Sequence, residues 1–223
     1  MSPPYRIRLV VTAGLAMAGV AIASDVGYRA DQEPGTPEQI ARGKSAFVTC
    51  SGCHGVDGEG RVGMGPRLNS PSYLASVSND LLATTIREGR AQTNMIPWGA
   101  SLGEDTVTDL VAYLRSWQTT DGYALDTSPL KGSAEQGAEL YQSICSRCHG
   151  RNARGYAELG SGTGIGGGAF LGAISDGELR LLIHKGKDNT PMRPFDKDAP
   201  TAVANLTDEE IDAIIAYLRA NAW

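Results

Sequence analysis

Two short segments hold all four cysteines of the chain and two of its three histidines. The first reads CSGCHG from Cys50 to Gly55, and the second reads CSRCHG from Cys145 to Gly150. In each, two cysteines stand three positions apart and a histidine follows the second one directly. Thiols and imidazoles bind metals, and thiols also carry redox and covalent chemistry, so these segments are the first candidates for a functional site.

Three kinds of chemistry use paired cysteines at this spacing. A structural zinc site brings four ligands together and usually places its second pair about 12–20 residues after the first, whereas these pairs lie 95 positions apart. A thioredoxin-like dithiol opens a helix after a strand, and no strand pattern precedes either segment. Covalent haem attachment needs two thiols about one helical turn apart and an adjacent histidine for the iron. The pattern favours haem, with zinc and dithiol chemistry as the alternatives.

The rest of the chain repeats together with these segments. Met95-Ile96-Pro97-Trp98 corresponds to Met192-Arg193-Pro194-Phe195 at an offset of 97, close to the offset of the cysteine segments. The order of matching stretches is the same in both halves. The sequence therefore predicts two similar units in tandem.

Each unit is expected to contain three helices separated by long loops. Capping patterns place first helices after Thr36 and Ser133. Second helices are expected near Asp80 to Glu88 and Asp176 to Lys185, and third helices follow from apolar residues spaced i, i+3, i+4, i+7. These third helices contain Val107, Leu110, Val111 and Leu114, and Ile211, Ile214, Ile215 and Leu218. No alternating strand pattern appears, so the predicted fold class is all-α.

The combined motifs resemble a known family over residues 36–221. The first half has GKSAFVTCSGCHG (43–55), GPRL (65–68) and NMIPW (94–98), and the second has GAELYQSICSRCHG (137–150) and PMRPF (191–195). Each half resembles a class I c-type cytochrome domain, and the whole resembles a tandem dihaem cytochrome c. The resemblance implies about three helices and long loops around one covalent haem in each domain.

The same resemblance implies roles for individual residues in binding two covalent haem c groups. The implied thioether residues are Cys50, Cys53, Cys145 and Cys148; the proximal iron ligands are His54 and His149; and the distal ligands are Met95 and Met192. Pro66 matches the proline whose carbonyl accepts a hydrogen bond from the proximal histidine. Gly43 with Phe47, and Gly137 with Tyr141, match positions where the first helix of a domain packs on the last.

The sequence departs from the family pattern in two places. Both halves have Met-x-Pro-aromatic where the family usually has Met-Pro-x-aromatic. In the second half the run GSGTGIGGG (160–168) replaces the GPRL motif, so no residue there matches Pro66. Met64 and His184 are the alternative ligand candidates, although core packing and a surface position explain them more simply.

The expected organisation begins with a targeting segment. Residues 1–23 contain Arg6 and Arg8 followed by an uncharged run from 9 to 23, which suits either a cleaved export signal or a retained membrane anchor. Residues 24–35 form a spacer, 36–118 the first cytochrome domain, 119–132 a linker that packs against its neighbours, and 133–223 the second domain. The expected location is periplasmic, on the extracytoplasmic side of a bacterial membrane.

These features predict electron transfer rather than catalysis. A histidine and a methionine fill both axial positions of a haem iron, which favours electron transfer over binding of O2 or peroxide. The net charge of −5 and the absence of basic clusters argue against nucleic acid as a partner. The expected partners are a redox donor and acceptor, such as a quinol-oxidising complex, a dehydrogenase or a terminal oxidase. The alternative is a dihaem peroxidase with one open haem.

Overall fold

The computed structural model describes residues 26–196, 198–199 and 204–223, and in this part of the chain helices are connected by long loops. Within these residues, β-structure is limited to the isolated bridges Arg61 to Gly65 and Asp196 to Leu206. The predicted all-α class is confirmed. The helices of the first half are α1 (Pro37–Ala46), α2 (Val48–His54), α3 (Pro71–Ser76), α4 (Asn79–Glu88), α5 (Gly99–Leu102) and α6 (Glu104–Arg115). Those of the second half are α7 (Ala134–Leu140), α8 (Ser146–His149), α9 (Gly168–Ala173), α10 (Asp176–Lys185) and α11 (Asp208–Ala220).

The longer helices begin where the capping patterns predict. Thr36 and Gln39 form a reciprocal capping box at α1, and Ser175 with Glu178 does the same at α10. Ser133 caps α7 through a hydrogen bond from the backbone N–H of Gln136. Each of these side chains satisfies an N–H group that has no partner inside the helix, so short polar motifs fix the helix starts locally.

The first and last helices of each half cross at a glycine. A Cβ atom at Gly43 of α1 would overlap the carbonyl oxygen of Asp109 in α6, and one at Gly137 of α7 would overlap that of Ala213 in α11. Aromatic rings flank both crossings: the centroid of Phe47 lies 5.5 Å from that of Tyr113. The ring centroids of Tyr141 and Tyr217 lie 5.1 Å apart. This is the packing that the family resemblance implies for these positions.

Each half contains more helices than the three that the sequence predicts. The short helices α3, α5 and α9 were not predicted, and the helix that carries each cysteine segment is interrupted, at Phe47 in the first half and by a π-helical turn over Tyr141–Cys145 in the second. Helices of four to six residues have little intrinsic stability, so tertiary packing decides whether they form. For α3 a local signal was present, since Ser70 caps it and Pro71 occupies its first position.

The segment between the halves packs against both of them. The N–H of Tyr123 donates to the carbonyl of Ala75 in the first half (2.9 Å). The guanidinium of Arg180, in α10, donates to the carbonyls of Asp126 (2.7 Å) and Ser128 (2.9 Å). The connecting segment therefore packs against the protein surface at these residues, while its predicted bounds of 119 and 132 stay a prediction.

The two halves also contact each other directly. Helix α3 packs on α10 and α4 packs on α9. The Ser78 N–H donates to Oε1 of Glu178 (2.6 Å), and the Ser72 N–H donates to Oδ2 of Asp188 (2.7 Å). The buried carboxylate of Glu178 and the exposed carboxylate of Asp188 each accept from a backbone N–H group across this boundary, which fixes the halves in one relative position.

The candidate export segment, residues 1–23, lies outside the described residues. Among the helices that the structure does describe, none combines the length and the apolar character needed to cross a membrane.

Candidate functional site

Each cysteine segment forms the last turn of a helix and ends at its histidine. Helix α2 ends at His54 and α8 ends at His149. The next residues, Gly55 and Gly150, both have φ of 79°, a conformation that side-chain-bearing residues seldom adopt. The two thiols of each segment, at i and i+3, therefore lie on one face of a helical turn beside the histidine.

Both histidine rings bond to a backbone carbonyl in the same way. The Nδ1 atom of His54 lies 2.9 Å from the Pro66 carbonyl oxygen, and Nδ1 of His149 lies 2.8 Å from the Thr163 carbonyl oxygen. A carbonyl can only accept, so Nδ1 carries the proton in both rings and Nε2 keeps its lone pair for a metal ion. Thr163 is thus the counterpart of Pro66 that the sequence did not reveal.

Glycines allow these carbonyls to approach the rings. A Cβ atom at Gly162 would lie 3.0 Å from Nδ1 of His149, and one at Gly65 would lie 3.1 Å from Nδ1 of His54. Each glycine directly precedes the residue whose carbonyl accepts from the histidine of its half. The glycine-rich run 160–168 therefore places a carbonyl against its histidine, as the GPRL motif does. The feature that the two sequences share is a glycine one position before the residue with the accepting carbonyl.

The loops that carry Met95 and Met192 match in their hydrogen bonds. The N–H of Met95 donates to Oγ1 of Thr93, and that of Met192 donates to Oγ1 of Thr190, both at 3.1 Å. Each methionine carbonyl accepts from a basic residue five positions earlier, Arg90 in one half and Lys187 in the other, both at 2.7 Å. The methionine is held at both of its backbone polar groups in each half.

The unusual Met-x-Pro-aromatic order fits the same loop in both halves. The backbone N–H of the aromatic residue donates to the preceding helix. The bond runs from Trp98 to the Ile86 carbonyl in the first half and from Phe195 to the Ile183 carbonyl in the second, both at 3.1 Å. A Cβ at Gly89 or Gly186 would overlap the carbonyl oxygen of the methionine in its own half. The two loops are structural copies, although only a few of their residues are identical.

Burial sets the protonation of the candidate ligands. It lowers the pKa of His54 and His149, while the carbonyl bonds act in the opposite direction. Burial also raises the pKa of Cys50, and raises that of Cys145 to about 12, with the neighbouring Cys148 as a smaller cause. The histidines are neutral at pH 7, as iron ligands must be, and these two cysteines are protonated thiols rather than thiolates.

The candidate residues of the second half meet in one cavity of about 390 Å³. Cys145, Cys148, His149 and Met192 all line it. In the first half, His54 is only 8% exposed, and Cys50 and Met95 are half-buried against the apolar core. Among the described residues no three His, Cys, Asp or Glu side chains converge as a metal cluster, which does not favour the zinc alternative. Paired thiols, a neutral histidine and a thioether are the donor set that a covalently attached haem requires, so the residues fit that group.

The two alternative ligand candidates lie elsewhere. Nε2 of His184 lies 3.2 Å from Oδ1 of Asp208, as in a surface ion pair, with the histidine side chain 24% exposed. Met64 is half exposed in the loop after the first cysteine segment. Neither residue is among those that line the cavity of the second half.

Comparison with known proteins agrees with this geometry. The family model Cytochrome c matches residues 134–222, and the model Cytochrome C oxidase, cbb3-type, subunit III matches residues 38–114. Cytochrome c55X of Pseudomonas aeruginosa is 31% identical over 112 residues, which make up 50% of this chain and 92% of that protein. The chain belongs to the cytochrome c family. This cytochrome c has two attachment segments and two covalently bound haem c groups, as predicted, and the matches support electron transfer, the predicted function.

Longer relatives come from an oxidase complex. The Cbb3-type cytochrome c oxidase subunit FixP of Azorhizobium caulinodans is 34% identical over 175 residues, covering 75% of this cytochrome c and 57% of FixP. The chain spans about half the length of the FixP proteins it matches. A chain of the Kuenenia stuttgartiensis reducing HAO-like protein complex Kustc0457/Kustc0458 shares the fold, with a TM-score of 0.51, 22% identity and coverage of 86% of this chain and 98% of that one.

Proposed function

We propose that each half of the chain, residues 36–118 and 133–223, is a domain that holds one haem c with histidine and methionine as axial ligands. The first haem would be attached through Cys50 and Cys53 and ligated by His54 and Met95. The second would be attached through Cys145 and Cys148 and ligated by His149 and Met192. The observation that supports this best is the cavity on which all four candidates of the second half converge.

The protein's part in electron transfer is to hold and shield the ligands. Bound haem iron supplies the redox step by alternating between its ferric and ferrous forms. The carbonyls of Pro66 and Thr163 fix the proton on Nδ1 and orient the imidazole, which strengthens it as a ligand. Thr93 and Thr190 hold the methionine loops in place. A geometry that changes little with oxidation state suits rapid electron transfer.

The best-supported partner is a terminal oxidase complex. The match of residues 38–114 to the cbb3-type subunit III model and the likeness to FixP both point to such a complex. We infer that the chain passes electrons to an oxidase from an upstream donor, on the extracytoplasmic side of the membrane. The basic, then uncharged, sequence of residues 1–23 supports export.

Single methionine variants test the ligand assignment. Met95→Ala and Met192→Ala should each open one haem, so that the reduced protein binds one equivalent of CO in each variant and two in the double variant. His184→Ala is the matched control and should bind none. If Met192→Ala leaves the second haem closed to CO, Met192 is not its ligand.

Electron delivery to an oxidase tests the partner assignment. The reduced holoprotein should be oxidised by membranes that contain a cbb3-type oxidase, and oxygen uptake should rise with its concentration. Cyanide, which inhibits terminal oxidases, should abolish the effect. Rapid oxidation by hydrogen peroxide in the absence of membranes would instead support the dihaem peroxidase alternative.

A further inference from the structure

Three basic side chains gather between the two halves. The Nζ atom of Lys187, just after the second half's α10, donates to the carbonyl of Arg67 in the first half (3.1 Å) and lies 3.9 Å from the ring centroid of Tyr73. The guanidinium carbon of Arg90, just after α4, lies 3.8 Å from the ring centroid of Phe170 in the second half. We refer to Arg67, Arg90 and Lys187 as the interdomain cation cluster.

These cations have no carboxylate at ion-pair distance in the described part of the chain, although Glu59, which lines the same cavity, interacts with Arg67 over a longer distance. None of the three takes part in an ion pair in that part of the chain. Buried nitrogens of two of them, Nε of Arg67 and both Nε and Nη2 of Arg90, also lack a hydrogen-bond partner. The acidic groups at the same boundary are already engaged, since Glu178 accepts from Ser78 and Asp188 accepts from Ser72.

The three charges also act on one another. Burial lowers the pKa of Lys187 to about 7, and the nearby charges of Arg90 and Arg67 are the further causes. Burying like charges together without an anion is strongly unfavourable. Arginine pairs bidentately with carboxylates and phosphates, so an anion of this kind would complement the cluster.

Backbone contacts tie each cation to one of the candidate ligand segments. Arg67 directly follows Pro66, whose carbonyl accepts from His54. Arg90 and Lys187 occupy equivalent positions and donate their N–H groups to the carbonyls of Met95 and Met192. Arg67, although it belongs to the first half, lines the cavity of the second half together with Lys187.

We propose that the interdomain cation cluster binds the propionate carboxylates of both haem groups, so that one ionic cluster at the domain boundary serves the two redox centres. This inference rests on the proposed haem sites. Two haems bring four propionates, which supply the missing anions for Arg67, Arg90 and Lys187. Because a nearby positive charge stabilises the reduced state, the cluster raises the haem reduction potentials.

Potentiometric titration of the holoprotein tests the proposal with charge-removing and charge-keeping variants. Lys187→Gln should lower the equilibrium constant for reduction of the second haem by about tenfold, the order expected for one unit charge at about 12 Å and an effective dielectric constant of about 20. For one electron, tenfold corresponds to about 59 mV. Arg90→Gln should also lower a haem potential, whereas Lys187→Arg should leave the potentials close to wild type.

Arg87→Gln is the matched control, because Arg87 lies near Arg90 but pairs with Glu104 at the surface. Unchanged potentials in both Lys187→Gln and Arg90→Gln, with both haems bound, would overturn the proposal. If Lys187→Gln fails to load its haem, loading by Lys187→Arg supports the need for charge, and failure of both variants refutes it. Absence of two haems in the wild-type protein would refute the proposed function itself, before any variant is compared.

Discussion

The threonine in each methionine loop offers a sharp test of how the ligand is held. The Thr190 hydroxyl donates to the Lys187 carbonyl (2.8 Å) and accepts from the Met192 N–H (3.1 Å). Thr190→Val keeps the shape of the side chain and removes both bonds. At about 0.5–1.5 kcal/mol for each hydrogen bond, the closed loop loses about 1–3 kcal/mol. The population with Met192 away from the iron should then rise about 5- to 150-fold, since about 1.4 kcal/mol is a factor of ten.

Cyanide binding to the oxidised protein measures this population. If Met192 is the ligand, as proposed, cyanide could bind only when the methionine has left, so its binding rate at the second haem should increase by the same factor. Thr93→Val is the matched control: it removes the same pair of bonds beside Met95 and should accelerate only the first haem. Met192→Ala sets the upper limit of the rate. A Thr190→Val protein with unchanged kinetics, or with equal acceleration at both haems, would refute the reasoning.

Two further substitutions probe the scaffold by urea unfolding of the holoprotein. Gly137→Ala should destabilise the second half by about 1–3 kcal/mol through overpacking, because the new Cβ overlaps the Ala213 carbonyl. Gly172→Ala, a helical glycine with free space around its Cβ position, should instead stabilise by about 0.5–1 kcal/mol. Asp212→Ala should cost about 3–5 kcal/mol because it removes the buried carboxylate that lies 2.6 Å from the buried guanidinium of Arg180 and leaves only the more distant Asp126 as an ion-pair partner. Asp109→Ala, whose arginine partner is 61% exposed, should cost about 1 kcal/mol or less. Equal changes in stability for the two glycine variants would contradict the overpacking argument, and equal changes for the two aspartate variants would contradict the argument from burial.

Local signals in the sequence account for most of the helical scaffold. Capping boxes such as Thr36 with Gln39 act within one helical turn, so they can be recognised without knowledge of the fold. Helices α5 and α9 have no such cap, and α3, although Ser70 caps it, is too short for a local signal alone to stabilise it. Their stability comes from contacts between segments distant in sequence, including the packing of α3 on α10 and of α4 on α9.

In the candidate site too, residues within one short segment could be predicted, whereas residues that meet only in the fold could not. The cysteine segments are contiguous and were recognisable at once. Thr163 was not, because its contribution is a backbone carbonyl, which any residue can provide, and only the path of the chain places it against His149. The interdomain cation cluster was also hidden, since Arg67 and Lys187 are 120 positions apart. The domain boundaries and the ligand roles of Met95 and Met192 remain predictions.

The most direct test of the central claim is the haem content and CO reactivity of the purified, exported protein. We expect two covalently bound haems per chain by mass spectrometry and haemochrome absorbance. Both should be low-spin when reduced and unreactive towards CO on mixing, because in the proposed assignment a histidine and a methionine would ligate each iron. A single haem per chain, or rapid stoichiometric binding of CO at one of two haems, would contradict the assignment of two closed electron-transfer sites.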